Sequence, residues 1–365
     1  MHIMFYYVSM RRGGAERVIS SLANDFVRRG AEVSILVLDD QPSQYPLDDK
    51  VNMIKLGTIA DSQNIFEAVK NNLRRIVMTR KTLKERHPQA VVCFGINNLA
   101  FALAAKLGLD IKIIGSERSN PYHSNVGHFW KKMKKLLSPY ADGYIFSTEG
   151  AKGYYPKKTQ DKSVIIPNGI FAGTLPAIVP DIAKRRPKTI CTTGRLEPVK
   201  GFDILVEAFS RFHQSFPEHT LHIYGEGKQK AALQRLILEK GLEKHAFLEG
   251  YAEDVPAVLC SHTMFAFTSH HEGMPNGLIE ALACGLPCVA ANCDFGPAEL
   301  IRDGENGLLA AVGDPEAIAG AMKRIASDAA FAEKLSKNAL KIRETHSPAE
   351  ISRRFYDYIT NVAKK

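Results

Sequence analysis

Residues 3–39 read IMFYYVSMRRGGAERVISSLANDFVRRGAEVSILVLD. The first six residues are an apolar run short enough for a buried strand. The segment RGGAERVISSLANDFVRRG is a glycine turn opening an amphipathic helix, and EVSILVLD is a second strand. This is a β-α-β unit, and working outward the same alternation recurs. AVVCFG, a helix around NLAFALAAKLG, IKIIGSE, a basic helical stretch, DGYIFST and KSVIIPNGI follow in order. Together they predict a parallel sheet covered by helices, one Rossmann-like domain over residues 1–170. FAGTLPAIVPDIAKRRP, residues 171–187, breaks the periodicity with three prolines and a basic cluster, as an interdomain linker does. A second sheet is expected over 188–347, from KTICTTGRL through HTLHIYGEG, HAFLEGY, TMFAFTS and LPCVAA. A closing helix, 348–365, starts near Pro348. The fold class is thus α/β, two Rossmann-like domains whose parallel sheets face a cleft, with ligands expected at the strands' carboxyl ends.

Bulk properties agree. At 365 residues the chain is long for one core and comfortable for two. With 45% hydrophobic and 24% charged residues it has an ordinary globular composition. Lys plus Arg number 48 against 39 Asp plus Glu, a net +9 that favours an anionic partner if the excess is clustered. The six cysteines show no CxxC pair and no zinc spacing, as expected in a reducing compartment. No run approaches the roughly 18–20 apolar residues of a bilayer span, so neither a signal peptide nor a spanning helix is expected.

Chemistry-bearing residues gather in two places of the second half. In GRLEPVKG, residues 194–201, Arg195 and Lys200 flank a turn just after a strand. A planar guanidinium and a mobile ammonium suit a diphosphate and the charge that grows on it as a bond breaks; a solvated basic loop is the alternative. In SHHEGMPNGLIEALACGLPCVAA, residues 269–291, a helix beginning near Asn276 points N–H groups outward as a second anion site. Glu280, inside that helix, can accept from a ribose, and Glu272, before it, from a sugar hydroxyl. Glu280 could equally do no more than complement the helix dipole. The Gly13–Gly14 pair lets a bulky group approach the backbone. YGEG lacks the GxGxxG pattern of a dinucleotide site, which weakens a dehydrogenase reading. No D-x-D occurs and only His270 and His271 cluster, so no metal and no cofactor is expected.

The positive excess gathers in the first half. In HFWKKMKKLL, Phe129, Trp130, Met133, Leu136 and Leu137 are read as one face and Lys131, Lys132, Lys134 and Lys135 as the other. Such a helix suits an anionic membrane surface, or else packs on the core with a solvated lysine face. In NNLRRIVMTRKTLKERHP, Arg80 falls in an apolar stripe of Val69, Leu73, Ile76, Val77 and Leu83, where it either snorkels or meets an acceptor phosphate. No nucleic-acid-reading motif accompanies this charge.

With GGAERV at 13–18, VIIPNGI at 164–170, GRLEPVKG at 194–201 and the E-x7-E spacing of Glu272 and Glu280, the chain resembles the retaining two-domain glycosyltransferases of the GT-B fold, family GT4 or group 1. SERSNP at 116–121, the lysine-rich helix and NCDFGPAELI at 292–301 look most like transferases that extend lipid-linked oligosaccharides with N-acetylgalactosamine. The resemblance implies catalysis by Arg195, Lys200 and Glu272. It also implies donor binding by Gly14, Gly225, Tyr251, Met274, Pro275, Asn276, Gly277, Leu278 and Glu280. Many relatives carry a histidine near the reacting centre where this chain offers Glu117 and Arg118, which with Arg80 become the acceptor-side candidates. The implied partners are a UDP-sugar, a lipid-linked glycan and an anionic membrane, with the enzyme peripheral on the inner face of the plasma membrane. A soluble relative acting on a small acceptor, or a non-catalytic sugar-nucleotide-binding protein, is the alternative.

Overall fold

The computed structural model describes residues 1–11, 13–59, 63–123, 127–170, 175, 176, 179, 185 and 187–365. Most of the expected linker, 171–187, lies outside them. Cα packing divides the chain into two units, Met1–Phe171 with Pro348–Lys365, and Ala172–Ser347.

The first unit runs β1 (His2–Tyr7), α1 (Gly14–Arg28), β2 (Glu32–Val37), β3 (Val51–Lys55), α2 (Ile65–Arg86), β4 (Ala90–Phe94), α3 (Ile96–Ala105) and β5 (Lys112–Glu117). It continues with α4 (His128–Leu137), β6 (Gly143–Phe146), α5 (Glu149–Gly153), α6 (Lys157–Gln160) and β7 (Ser163–Ile165). All strands pair parallel in the order β3-β2-β1-β4-β5-β6-β7. The strands are apolar on both faces because helices cover both: every residue of β4 is buried. Val18, Ile19, Leu22 and Phe26 of α1 cover one face, beside Ile351, Phe355 and Ile359 of the closing helix. Leu83 of α2, Leu99 and Ala102 of α3 and the flanks of α4 cover the other.

The second unit runs β8 (Thr189–Thr193), α7 (Phe202–His213), β9 (Thr220–Tyr224), α8 (Lys230–Glu239), β10 (Ala246–Gly250), α9 (Val255–Ser261), β11 (Met264–Phe267) and α10 (Asn276–Ala283). Then come β12 (Cys288–Ala291), α11 (Pro297–Leu300), β13 (Leu308–Ala310), α12 (Pro315–Ser327), α13 (Ala329–Ala339) and α14 (Ile342–Thr345). Its strands are parallel in the order β10-β9-β8-β11-β12-β13. Arg185, buried, donates to the carbonyl of Cys284 at 2.8 Å. The chain then returns to the first unit through α15 (Pro348–Ala363). Tyr356 meets Phe26 edge-on at 5.1 Å, and Arg354 donates to the Ile165 carbonyl at 2.6 Å.

Both sheets share the order three-two-one-four, the Rossmann-like pattern expected from the sequence. The edge strands β3 and β13 carry no motif and were not expected. In each sheet the direction of winding reverses between the first and fourth strands, where open α/β sheets take ligands at their carboxyl ends. In the second unit that point is β8 beside β11.

Candidate active site

Arg195 and Lys200 lie on the loop after β8, and Glu272 on the loop after β11. The Lys200 ammonium reaches Glu272 Oε1 at 2.6 Å across 72 residues of sequence, with the two side chains 23% and 18% exposed. Ser269 Oγ donates to the same oxygen at 3.0 Å. Glu272 Oε2 has no hydrogen bond among the described residues and remains able to accept one.

Backbone contacts hold the two loops together. Thr268 Oγ1 donates to the Lys200 carbonyl at 3.0 Å, and the His270 amide to the Val199 carbonyl at 2.8 Å. Gly201 adopts φ +60°, and a Cβ there would stand 2.4 Å from the Thr268 carbonyl oxygen. Only glycine admits this approach. The Arg195 side chain is exposed and makes no hydrogen bond or ion pair among the described residues, so its guanidinium is available to a ligand.

α10 begins beside the same place. A Cβ on Gly277 would meet Thr193 Oγ1, at the end of β8, at 2.9 Å. Pro275 caps the helix without a side-chain bond. Leu278, expected to bind the donor, is buried, and its amide donates to the Pro275 carbonyl at 3.1 Å. The Gly277 amide has no partner among the described residues. Met274 and Pro275 are buried and Asn276 is half-buried. Glu280 is 5% exposed, one turn inside α10. Two cations, two carboxylates and a helix start thus belong to the loops and helix that follow β8 and β11, the switch point of this sheet.

Gly225 serves the site differently from the expectation. Its amide donates to the Gly250 carbonyl at 2.7 Å and is not free for a ligand. With φ +152° it lets the end of β9 close on β8, where a Cβ would lie 1.8 Å from the Gly194 carbonyl oxygen. Gly225→Ala is therefore expected to cost about 3 kcal/mol or more, read as a lowered melting temperature by circular dichroism. Tyr251, 54% exposed, follows β10 at the same carboxyl edge.

In the first unit Gly14 is exposed as the first residue of α1. Tyr45, unnoticed in the sequence, pins the turn before it: its hydroxyl donates to the Gly13 carbonyl at 2.9 Å. The acceptor-side candidates need correction. Arg80 Nη1 donates to the carbonyls of Ala105 and Leu107, both at 2.7 Å, so it is held against the protein as a cap on α3 and does not simply snorkel.

Glu117 is buried at the end of β5 and saturated. Its Oε2 accepts from Lys134 Nζ and Tyr155 OH, each at 2.7 Å, and Oε1 from Ser119 Oγ at 2.6 Å. Burial pushes this carboxyl up, but the Lys134 ammonium and the hydrogen bonds from Lys134, Ser119 and Tyr155 hold it below the ordinary value. A low carboxyl with every acceptor position engaged is an anchor, not a base. Arg118 donates to the Ile166 carbonyl at 2.9 Å and to Asn168 Oδ1, and lies over the Phe355 ring. It ties the end of β5 to the loop after β7.

The lysine face of α4 also differs from the expectation. Lys134 is 2% exposed because Glu117 draws it inward, a partner 17 residues away that helical periodicity does not reveal. Lys131 donates to the Tyr122 carbonyl at 3.3 Å, and Lys135 lies 4.6 Å from the Tyr154 ring centre. Trp130 is half-buried, edge-on to Phe101. Lys132 is exposed, while Phe129 and Leu136, assigned to the apolar face, are 63% and 56% exposed.

Comparison with known proteins decides what such a site belongs to. The family model for glycosyl transferases group 1 matches residues 178–342, and that for glycosyltransferase family 4 matches residues 12–171. The chain is a glycosyltransferase of the GT-B fold. Among relatives of this glycosyltransferase is the Campylobacter jejuni "GalNAc-alpha-(1->4)-GalNAc-alpha-(1->3)-diNAcBac-PP-undecaprenol alpha-1,4-N-acetyl-D-galactosaminyltransferase", 25% identical over 93% of this chain and 92% of that protein. The lipopolysaccharide 1,6-galactosyltransferase of Salmonella typhimurium is 27% identical over 86% of each chain. Anabaena HepE, solved with UDP and glucose, superposes with TM-score 0.81 at 19% identity, covering 99% of this chain and 100% of its own. Among the described residues no helix is long and apolar enough to cross a membrane.

Proposed function

We propose that this glycosyltransferase moves a hexose or N-acetylhexosamine, N-acetylgalactosamine first among them, from a UDP-sugar to a glycan on a polyprenyl diphosphate, keeping the anomeric configuration. The observation that carries the reading is the Lys200–Glu272 contact at the β8–β11 switch point, beside Arg195 and the start of α10. HepE, solved with UDP and glucose, supports a UDP-sugar donor, and the Campylobacter enzyme's undecaprenol-linked substrate supports the acceptor. In this reading Arg195, the Lys200 ammonium and the Gly277 amide bind the donor diphosphate. Glu272 Oε2 accepts from a hydroxyl of the transferred sugar, and Glu280 holds the ribose.

The acceptor hydroxyl attacks the anomeric carbon as its bond to the β-phosphate oxygen breaks. The bonding pair leaves with UDP, and the hydroxyl proton passes to a departing phosphate oxygen on the same face. The growing negative charge meets donors already in place, which supplies the stabilisation without a dedicated protein base. The chemistry asks for no metal, since the two cations neutralise the diphosphate. The enzyme then works at the membrane's inner face, where a lipid-linked acceptor is presented.

The test is a panel of radiolabelled UDP-sugars with lipid-linked glycan acceptors, the product anomer read by NMR. Transfer from UDP-N-acetylgalactosamine with an α-linked product, undiminished by EDTA, is expected. Transfer from no UDP-sugar to any lipid-linked acceptor overturns the reading.

A further inference from the structure

α2 buries Thr79, Thr82 and Leu83, all in its second half. Over its first half, residues 65–77, no side chain is fully buried, although Ile76 packs partly against the core, yet this half is well formed: Asn64 caps it by accepting from the Glu67 amide at 2.9 Å, and the Glu67 carboxylate accepts from the Gln63 amide at 2.8 Å. This half carries Ile65, Phe66, Val69, Leu73 and Val77, which are 80%, 87%, 52%, 56% and 65% exposed. At about 100° per residue the five fall within an arc of roughly 120°, one continuous stripe. Lys70, Arg74 and Lys81, all exposed, occupy the next sector, and the acids Glu67 and Glu85 lie beyond them.

A scatter of single exposed apolar residues is ordinary, but five on one rigid helical face are not. The stripe has a bordering row of cations and no acid within it. That charge pattern fits one occupant, the surface of an anionic bilayer: the apolar side chains enter the headgroup boundary while the lysines and arginine meet phosphates. At 22 residues with many charges, α2 is not a membrane-spanning helix.

We propose that the first half of α2, and not the lysine face of α4, is the membrane-docking surface of this enzyme. The proposal rests on the lipid-linked acceptor reading only for its purpose; docking itself involves neither donor nor acceptor.

The experiment is flotation of the full chain with phosphatidylcholine vesicles, with and without roughly a third phosphatidylglycerol. The proposal expects the wild type to float with the anionic vesicles. The doubly substituted Phe66→Ser, Leu73→Ser chain should partition roughly 10- to 100-fold less, and Lys132→Ala should float nearly as wild type. Both substituted side chains are exposed, so an unchanged melting temperature confirms that the variant is folded. Equal flotation of wild type and double variant overturns the proposal. So does absence of flotation, including the case in which the wild type sediments as a dimer that the double variant dissociates. An enzyme with a water-soluble acceptor that still floats through α2 would leave docking intact and refute only the acceptor.

Discussion

Lys200→Ala is expected to lower the transfer rate about 10²- to 10³-fold, as loss of one charged donor at a developing anion does. The fold should survive. The loop is held through the backbone, by the Lys200 carbonyl accepting from Thr268 and the Lys200 amide donating to Glu197, and alanine keeps both. What disappears is the ammonium that joins Glu272 at 2.6 Å. The substitution therefore removes a cation from the diphosphate and frees a carboxylate that repels it. Arg195→Ala takes away a cation with no protein partner among the described residues, so it should reduce turnover with an unchanged melting temperature. Steady-state kinetics beside thermal melts separate the two, and full activity in both variants would remove the proposed role.

The second large effect is on stability. Lys134→Met leaves the Glu117 carboxylate buried without its counter-ion and is expected to cost about 3–5 kcal/mol, a fall in melting temperature on the order of 10 °C. Adding Glu117→Gln should recover much of this loss, since glutamine carries no charge, its one oxygen can still accept from Ser119, and its amide nitrogen can donate to the Tyr155 oxygen. The pH dependence has a definite sign. Because Glu117 is held below its ordinary value, the stability it contributes is complete above the unfolded carboxyl pKa of about 4.3. That contribution is lost as pH falls through the lower folded-state value. The double variant should lack this acid-side component. Equal melting temperatures for wild type and Lys134→Met would refute the anchor.

These two clusters mark what was legible in the sequence. Glycine turns and strand periodicity point to the β-α-β alternation, and an arginine, a lysine and two glutamates at strand ends point to the β8–β11 edge. Each motif is visible because a charged turn directly follows a strand, although the contact that joins the two motifs across 72 residues is not. The Lys134–Glu117 pair is not visible, because a helical wheel assigns every lysine to the water side and cannot register a carboxylate arriving from a strand end. Arg80 misled for the same reason: its partners are two carbonyls at the end of α3. The apolar stripe of α2 was partly seen, but its exposure depends on how far the helix extends beyond the core.

Calorimetric titration of UDP into the ligand-free protein and into Arg195→Ala and Lys200→Ala tests the diphosphate site most directly. Wild type should bind, and each variant should lose about tenfold or more in affinity, the worth of a hydrogen bond to a charged group. Lys132→Ala should bind as wild type does. UDP binding equally tightly to all four proteins would contradict the account.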